Sequence, residues 1–120
     1  MIKIKESTEK FIDTYGVAAS IASILENRLE DYPRIHDTHN WYLVVNNYLH
    51  SLGYNLVLIK DPHISALRGY HLIIQSDDNG RLYCVVGKDG TMVYDPSTND
   101  NKYNKPLKDV SYGIISRLFL

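Results

Sequence analysis

Between Tyr15 and Leu25 the chain reads Tyr-Gly-Val-Ala-Ala-Ser-Ile-Ala-Ser-Ile-Leu, without one charged side chain. Small residues stand at Gly16, Ala18, Ala19, Ser20, Ala22 and Ser23, while Val17, Ile21, Ile24 and Leu25 keep helical spacing. A helix that is apolar or small on every side has to be surrounded by protein. Its small side chains also let other backbone come close. Asp13 or Thr14 is expected to cap its N-terminus. This run therefore marks the centre of a core, and the rest of the fold must be built around it. A chain of 120 residues has room for one such core. A domain of this size buries roughly two-thirds of its unfolded surface. We read residues 1–120 as a single domain.

A second helix is predicted over roughly Asn40 to Leu52, capped by Asp37 or Thr38 and ended by Gly53 at the C′ position. Trp41, Val44, Val45, Tyr48, Leu49 and Leu52 fall on its buried face, leaving Asn40, Asn46, Asn47 and His50 on the other. After Gly53 the pattern turns to strands. They are expected at Tyr54–Ile59, Gly69–Gln75, Arg81–Val86, Thr91–Tyr94 and Tyr112–Leu120. Ser76-Asp77-Asp78-Asn79-Gly80 and Lys88-Asp89-Gly90 read as turns, and Asp95-Pro96 stops the fourth strand. Ile2-Lys3-Ile4-Lys5 is a short strand or an arm. Helices first and an antiparallel sheet after them define an α+β fold.

Several function classes lose support on composition. Thirteen Lys and Arg stand against 14 Asp and Glu, so no net charge draws the chain to nucleic acid or an acidic membrane. No apolar run approaches the roughly 20 residues of a membrane span. The first ten residues do not read as a signal peptide. The lone Cys84 forbids an internal disulfide and a four-cysteine zinc site, and it fits a reducing, cytoplasmic setting. No cofactor motif stands out. Ten residues are Tyr against two Phe and one Trp. Such a bias serves either a padded core or a surface that uses flat rings with polar tips for recognition.

Two stretches resemble the papain-like cysteine peptidase superfamily, and within it the compact bacterial and phage members akin to bacteriocin-processing, double-glycine leader peptidases. The family opens its central helix with Asp-Cys-Gly followed by hydrophobic and small residues; here Asp13-Thr14-Tyr15-Gly16-Val17-Ala18-Ala19-Ser20 stands in that place. Its later hairpin has the form His-Ala-Val-Val-Gly-x-x-Gly, then hydrophobics, then Asp-Pro. Here it reads Tyr83-Cys84-Val85-Val86-Gly87-Lys88-Asp89-Gly90-Thr91-Met92-Val93-Tyr94-Asp95-Pro96. The likeness covers roughly residues 6–100, and the second motif is the more specific. It implies a papain-like α+β fold, with a buried N-terminal helix and a second helix packed on an antiparallel sheet.

The family's chemistry needs a thiolate at a helix N-terminus, an imidazole as base and acid, and a carboxylate or amide that orients the imidazole. The resemblance maps these roles onto Tyr15, Tyr83 and Asp95. A phenol with a pKa of about 10 fills neither of the first two at neutral pH. The implied protein is a pseudoenzyme whose former cleft, walled by Tyr15 and Tyr83 with Asp95 behind, binds a peptide, a host protein or a small polar ligand. His71, on a neighbouring strand, is a further candidate for that cleft. Two alternatives belong to other classes. One is a residual hydrolase using Cys84 with His71. The other is a structural accessory protein, for instance in a virion, whose Tyr-rich surface forms a homo-oligomer interface.

The remaining constellations carry less. His36 and His39 have a spacing that suits zinc on a helix, but they lie at a loop-to-helix boundary. Asp77-Asp78-Asn79-Gly80 lacks the other ligand positions of a calcium loop. His50 and His63 read as surface residues.

Overall fold

In a computed structural model, residues 1–5, 14–35, 39–60, 62–63, 67–76, 80–96 and 108–118 are described, with only the backbone of Thr14, Tyr15, Lys108 and Asp109 among them. The architecture is α+β. Strand β1 spans Thr14–Tyr15, helix α1 Val17–Leu25, a 3-10 turn Leu29–Asp31, and helix α2 Trp41–Ser51. The strands that follow are β2 (Tyr54–Lys60), β3 (Tyr70–Ser76), β4 (Leu82–Lys88), β5 (Thr91–Tyr94) and β6 (Lys108–Arg117).

The uncharged run forms the buried helix it predicts. Val17 to Ser23 are all buried, and Val17, Ala19, Ile21 and Ala22 have no exposed surface. The helix starts later than expected. Thr14 is not its cap, because Thr14 and Tyr15 pair as a strand with β4, and Gly16 holds the N-cap position at φ +84° with no side-chain cap. That left-handed backbone breaks the helix from the strand before it. Asp13 lies outside the described residues, as do Asp37 and Thr38, and α2 begins with Asn40 at its N-cap. Gly53 follows α2 at φ +86°, the expected C′ glycine. Residues 2–5 form an arm rather than a strand. Its Ile2 and Ile4 amides donate to the Ser23 carbonyl (3.2 Å) and the Ser23 hydroxyl (3.0 Å) at the end of α1.

The sheet is not a simple meander. β3, β4 and β5 follow one another antiparallel, but β6 inserts between β3 and β2, so the order across the sheet is β1, β4, β3, β6, β2. β1 runs parallel to β4 along its first residues, and β5 pairs with the last residues of β4. Residues opposite one another in the ladder share a face. Leu72, Ile74, Cys84 and Leu56 lie on the face that packs against Val17, Ala18, Ile21 and Ala22 of α1 and Trp41, Val45 and Leu49 of α2. His71, Ile73, Tyr83, Val85 and Tyr112 lie on the other face.

Among the described residues β2 is an edge strand, and α2 covers part of its open side. The Leu56 amide donates to Asn46 Oδ1 at 2.8 Å, and the Leu56 carbonyl accepts from the Tyr42 hydroxyl. Asn46 Nδ2 donates in turn to Asn55 Oδ1 at 3.1 Å. Asn46, placed on the outer face of α2 by its sequence pattern, therefore stands in for a neighbouring strand. Its amide offers a donor and an acceptor together, which is what an unpaired strand edge lacks.

Candidate functional site

The site implied by the resemblance lies where β1 meets the start of α1. The parallel ladder sets Thr14 opposite Leu82 and Tyr15 opposite Tyr83. Adjacent strands run about 4.8 Å apart, so the backbones of Tyr15 and Tyr83 are direct neighbours. The next residue, Gly16, seats α1 against β4. A Cβ at Gly16 would stand 2.2 Å from the Cys84 carbonyl oxygen and 3.2 Å from Cγ of Pro96. Ser20, one turn into α1, donates its hydroxyl to that same carbonyl at 3.3 Å. The N-cap and the first turn of α1 thus both meet the Cys84 carbonyl, and the absence of a side chain at Gly16 permits it.

Asp95 reaches this corner through the β4–β5 hairpin. Lys88 pairs with Thr91 across a two-residue Asp89-Gly90 loop, whose φ values of +52° and +92° suit the turn that tight hairpins prefer. A bulge follows, and Tyr94 pairs with Val86. Asp95 comes next and is half-buried, and the buried Pro96 abuts Gly16. The carboxylate position, the two tyrosine positions and the electropositive N-terminus of α1 therefore share one corner of the fold. Tyr83 is only 5% exposed and lies on the sheet face away from the helices, so its side chain is not the open cleft wall the resemblance implies.

His71 does not join the corner. It pairs with Gly87, at the far end of β4 from Tyr83, and is 1% exposed. Its Nε2 accepts from the Gly90 amide at 3.0 Å, and its Nδ1 lies 3.2 Å from the Leu72 carbonyl. Tyr112 packs edge-on against the ring, with centroids 5.9 Å apart.

Cys84 is fully buried on the helix side of the sheet, its thiol directed to the Val85 carbonyl at 3.8 Å. Cys84 pairs with Ile74 and His71 with Gly87, three positions apart and on opposite faces. A nucleophile and its base must be within hydrogen-bond reach, so this arrangement does not form a Cys84–His71 dyad.

The described histidines outside the sheet fall on exposed positions. His39 and His63 are exposed, and His50, also exposed, contacts Asn55 Oδ1 at 2.8 Å. His36 lies outside the described residues, and among the described residues no cluster of metal-ligating side chains occurs. Asp77, Asp78 and Asn79 also lie outside them. No described helix is long and apolar enough to cross a membrane.

The sequence reading missed the Asn46–Tyr42 cap on β2 and the role of Gly90 as donor to His71. Neither has a linear signal, since each joins groups on different elements. Comparison with protein-family models, curated proteins and solved structures finds no match to this chain.

Proposed function

We propose that the chain is a papain-like domain without peptidase chemistry, and that it binds an extended peptide at the corner formed by Tyr15, Tyr83, Asp95 and the start of α1. The observation that carries this reading is the pairing of Tyr15 with Tyr83 at the mouth of the buried helix. Those are the positions the family gives to nucleophile and base. Neither phenol supplies a thiolate or an imidazole, so recognition is the chemistry left to the corner. Tyr suits that role, because it offers a large face and a hydroxyl with few rotors to freeze.

A peptide is favoured over a compact ligand by the strand beside the corner. Among the described residues β5 pairs only with β4, and its Met92 and Val93 are exposed. An outer strand edge with exposed apolar side chains offers main-chain hydrogen bonds and side-chain contacts to an added strand.

The test is calorimetric titration with a synthetic peptide ending in Gly-Gly, the class of segment that the resembling peptidases process, followed by mass analysis of the mixture. The peptide should bind and remain intact. Tyr15→Ala should weaken binding by roughly 1–3 kcal/mol, the range of an aromatic anchor, and Cys84→Ser should leave it unchanged. Cleavage lost in Cys84→Ser would establish the hydrolase alternative instead. Binding indifferent to Tyr15→Ala would remove the corner from consideration.

A further inference from the structure

We propose that His71 is a proton-operated latch that holds the β4–β5 hairpin shut. The inference stands apart from the binding reading, because it concerns the buried ring itself. A backbone amide can only donate, so the 3.0 Å contact from Gly90 requires a bare lone pair on Nε2. The ring is therefore neutral in this arrangement, with its hydrogen on Nδ1, where the Leu72 carbonyl accepts it at 3.2 Å. Both nitrogens are engaged with backbone, and the ring is sealed from water.

The surroundings are shaped to this ring. A Cβ on Gly87 would fall 2.4 Å from Cε1 of His71, so the bare backbone at Gly87 makes the space. The turn is tied a second time by Asp89. Its carboxylate accepts from the Gly69 amide at 2.7 Å, and its amide donates to the Gly69 carbonyl at 3.1 Å. Among the described residues, the titratable groups around the ring are few. Tyr112 of β6 meets it edge-on. Tyr70 precedes it on β3, with the Lys88 ammonium of β4 over its ring at 5.2 Å. Asp89 completes the set from the turn, and Met92 of β5, opposite Gly87, is uncharged. Both helices lie on the other face of the sheet. The Asp89 carboxylate already bonds the Gly69 amide, and the described hydrogen bonds give His71 no carboxylate partner.

An incoming proton would occupy the Nε2 lone pair that Gly90 uses. Two donors would then face each other in a water-free site, and the Gly90 amide would lose its partner. Relief requires the turn to lift from β3. The sign follows directly: the neutral ring supports the closed hairpin, so closure is present at neutral pH and lost on acidification. The same hairpin delivers Asp95 and Pro96 to Gly16, so its opening also loosens that corner.

The experiment is amide hydrogen exchange by NMR on the whole chain at about pH 7.5 and about pH 5.5, with rates corrected for intrinsic exchange. Gly90 protection should fall roughly tenfold relative to amides of α1, and the ring nitrogen shifts at the higher pH should show Nε2 unprotonated. In His71→Gln the side-chain carbonyl replaces Nε2 as an acceptor that does not titrate, and the pH response of Gly90 should vanish. Equal Gly90 protection at the two pH values overturns the proposal, as does an Nε2–H tautomer at the higher pH or a persistent pH response in His71→Gln. Should His71→Gln fail to fold, the two measurements on the native chain decide the matter alone.

Discussion

Replacing Gly16 by Ala tests the seating of α1 more directly than any change within the helix. Two costs add. The first is conformational, because an L-residue at φ +84° gives up about 1–2 kcal/mol. The second is steric. The new methyl would lie 2.2 Å from the Cys84 carbonyl oxygen, which belongs to the backbone of a central strand and cannot rotate away. Relief requires α1 to move off β4, and overpacking of this kind costs about 1–3 kcal/mol. Together they predict a loss of about 2–5 kcal/mol. Gly53→Ala is the control. Its φ of +86° matches, but nothing lies within 4 Å of the added atom, so only the conformational cost of about 1–2 kcal/mol applies. Urea denaturation followed by far-UV circular dichroism measures both variants. With a slope of ~2 kcal/mol per M, a loss of about 3 kcal/mol lowers the midpoint by about 1.5 M. Equal losses in the two variants would refute the close approach of α1 to β4, and with it the geometry of the candidate site.

Asn46→Ala strips the partner from the buried Leu56 amide and should cost about 1–3 kcal/mol. It should also promote concentration-dependent association in sedimentation, since an uncovered edge pairs with other edges; an unchanged urea midpoint would show that the cap contributes nothing. Burial raises the Tyr32 phenol far above its ordinary value, and the phenol donates to Asn27 Oδ1 at 2.8 Å. Burial and then the nearby carboxylates raise two more phenols, Asp31 acting on Tyr48 and Asp95 on Tyr94. A raised value means that the folded chain holds these protons more tightly than the unfolded chain does. Their contribution to stability is complete below about pH 10 and is lost as pH climbs beyond it. In a spectrophotometric titration the Tyr32 phenolate should appear only together with unfolding, and its ionisation in a chain that keeps its circular dichroism would contradict the burial.

The periodic parts of the chain were legible from local pattern. The buried helix, the second helix with Gly53 after it, and five strands all follow from apolar spacing and turn residues, which act over a few neighbours. The start of α1 was not, because Thr14 and Tyr15 are drawn into a strand by β4, a partner many residues away in sequence. The insertion of β6 between β2 and β3 was equally hidden, since strand order depends on which edges meet after collapse. The same distinction divides the site. The spacing from Tyr83 to Asp95 and the hairpin turn between them are local, so the sequence could present them together. Gly16 reads in the sequence as one more small residue, and only contact with Cys84 and Pro96 makes it the seat of the helix. His71 reads as a strand residue and a candidate for the cleft, yet Gly90 and Leu72 engage both its nitrogens. Local spacing dictates which backbone forms each element, because propensity and periodicity are properties of neighbouring residues. The partner of a buried polar group is set by which elements pack together, and no short stretch of chain contains that information.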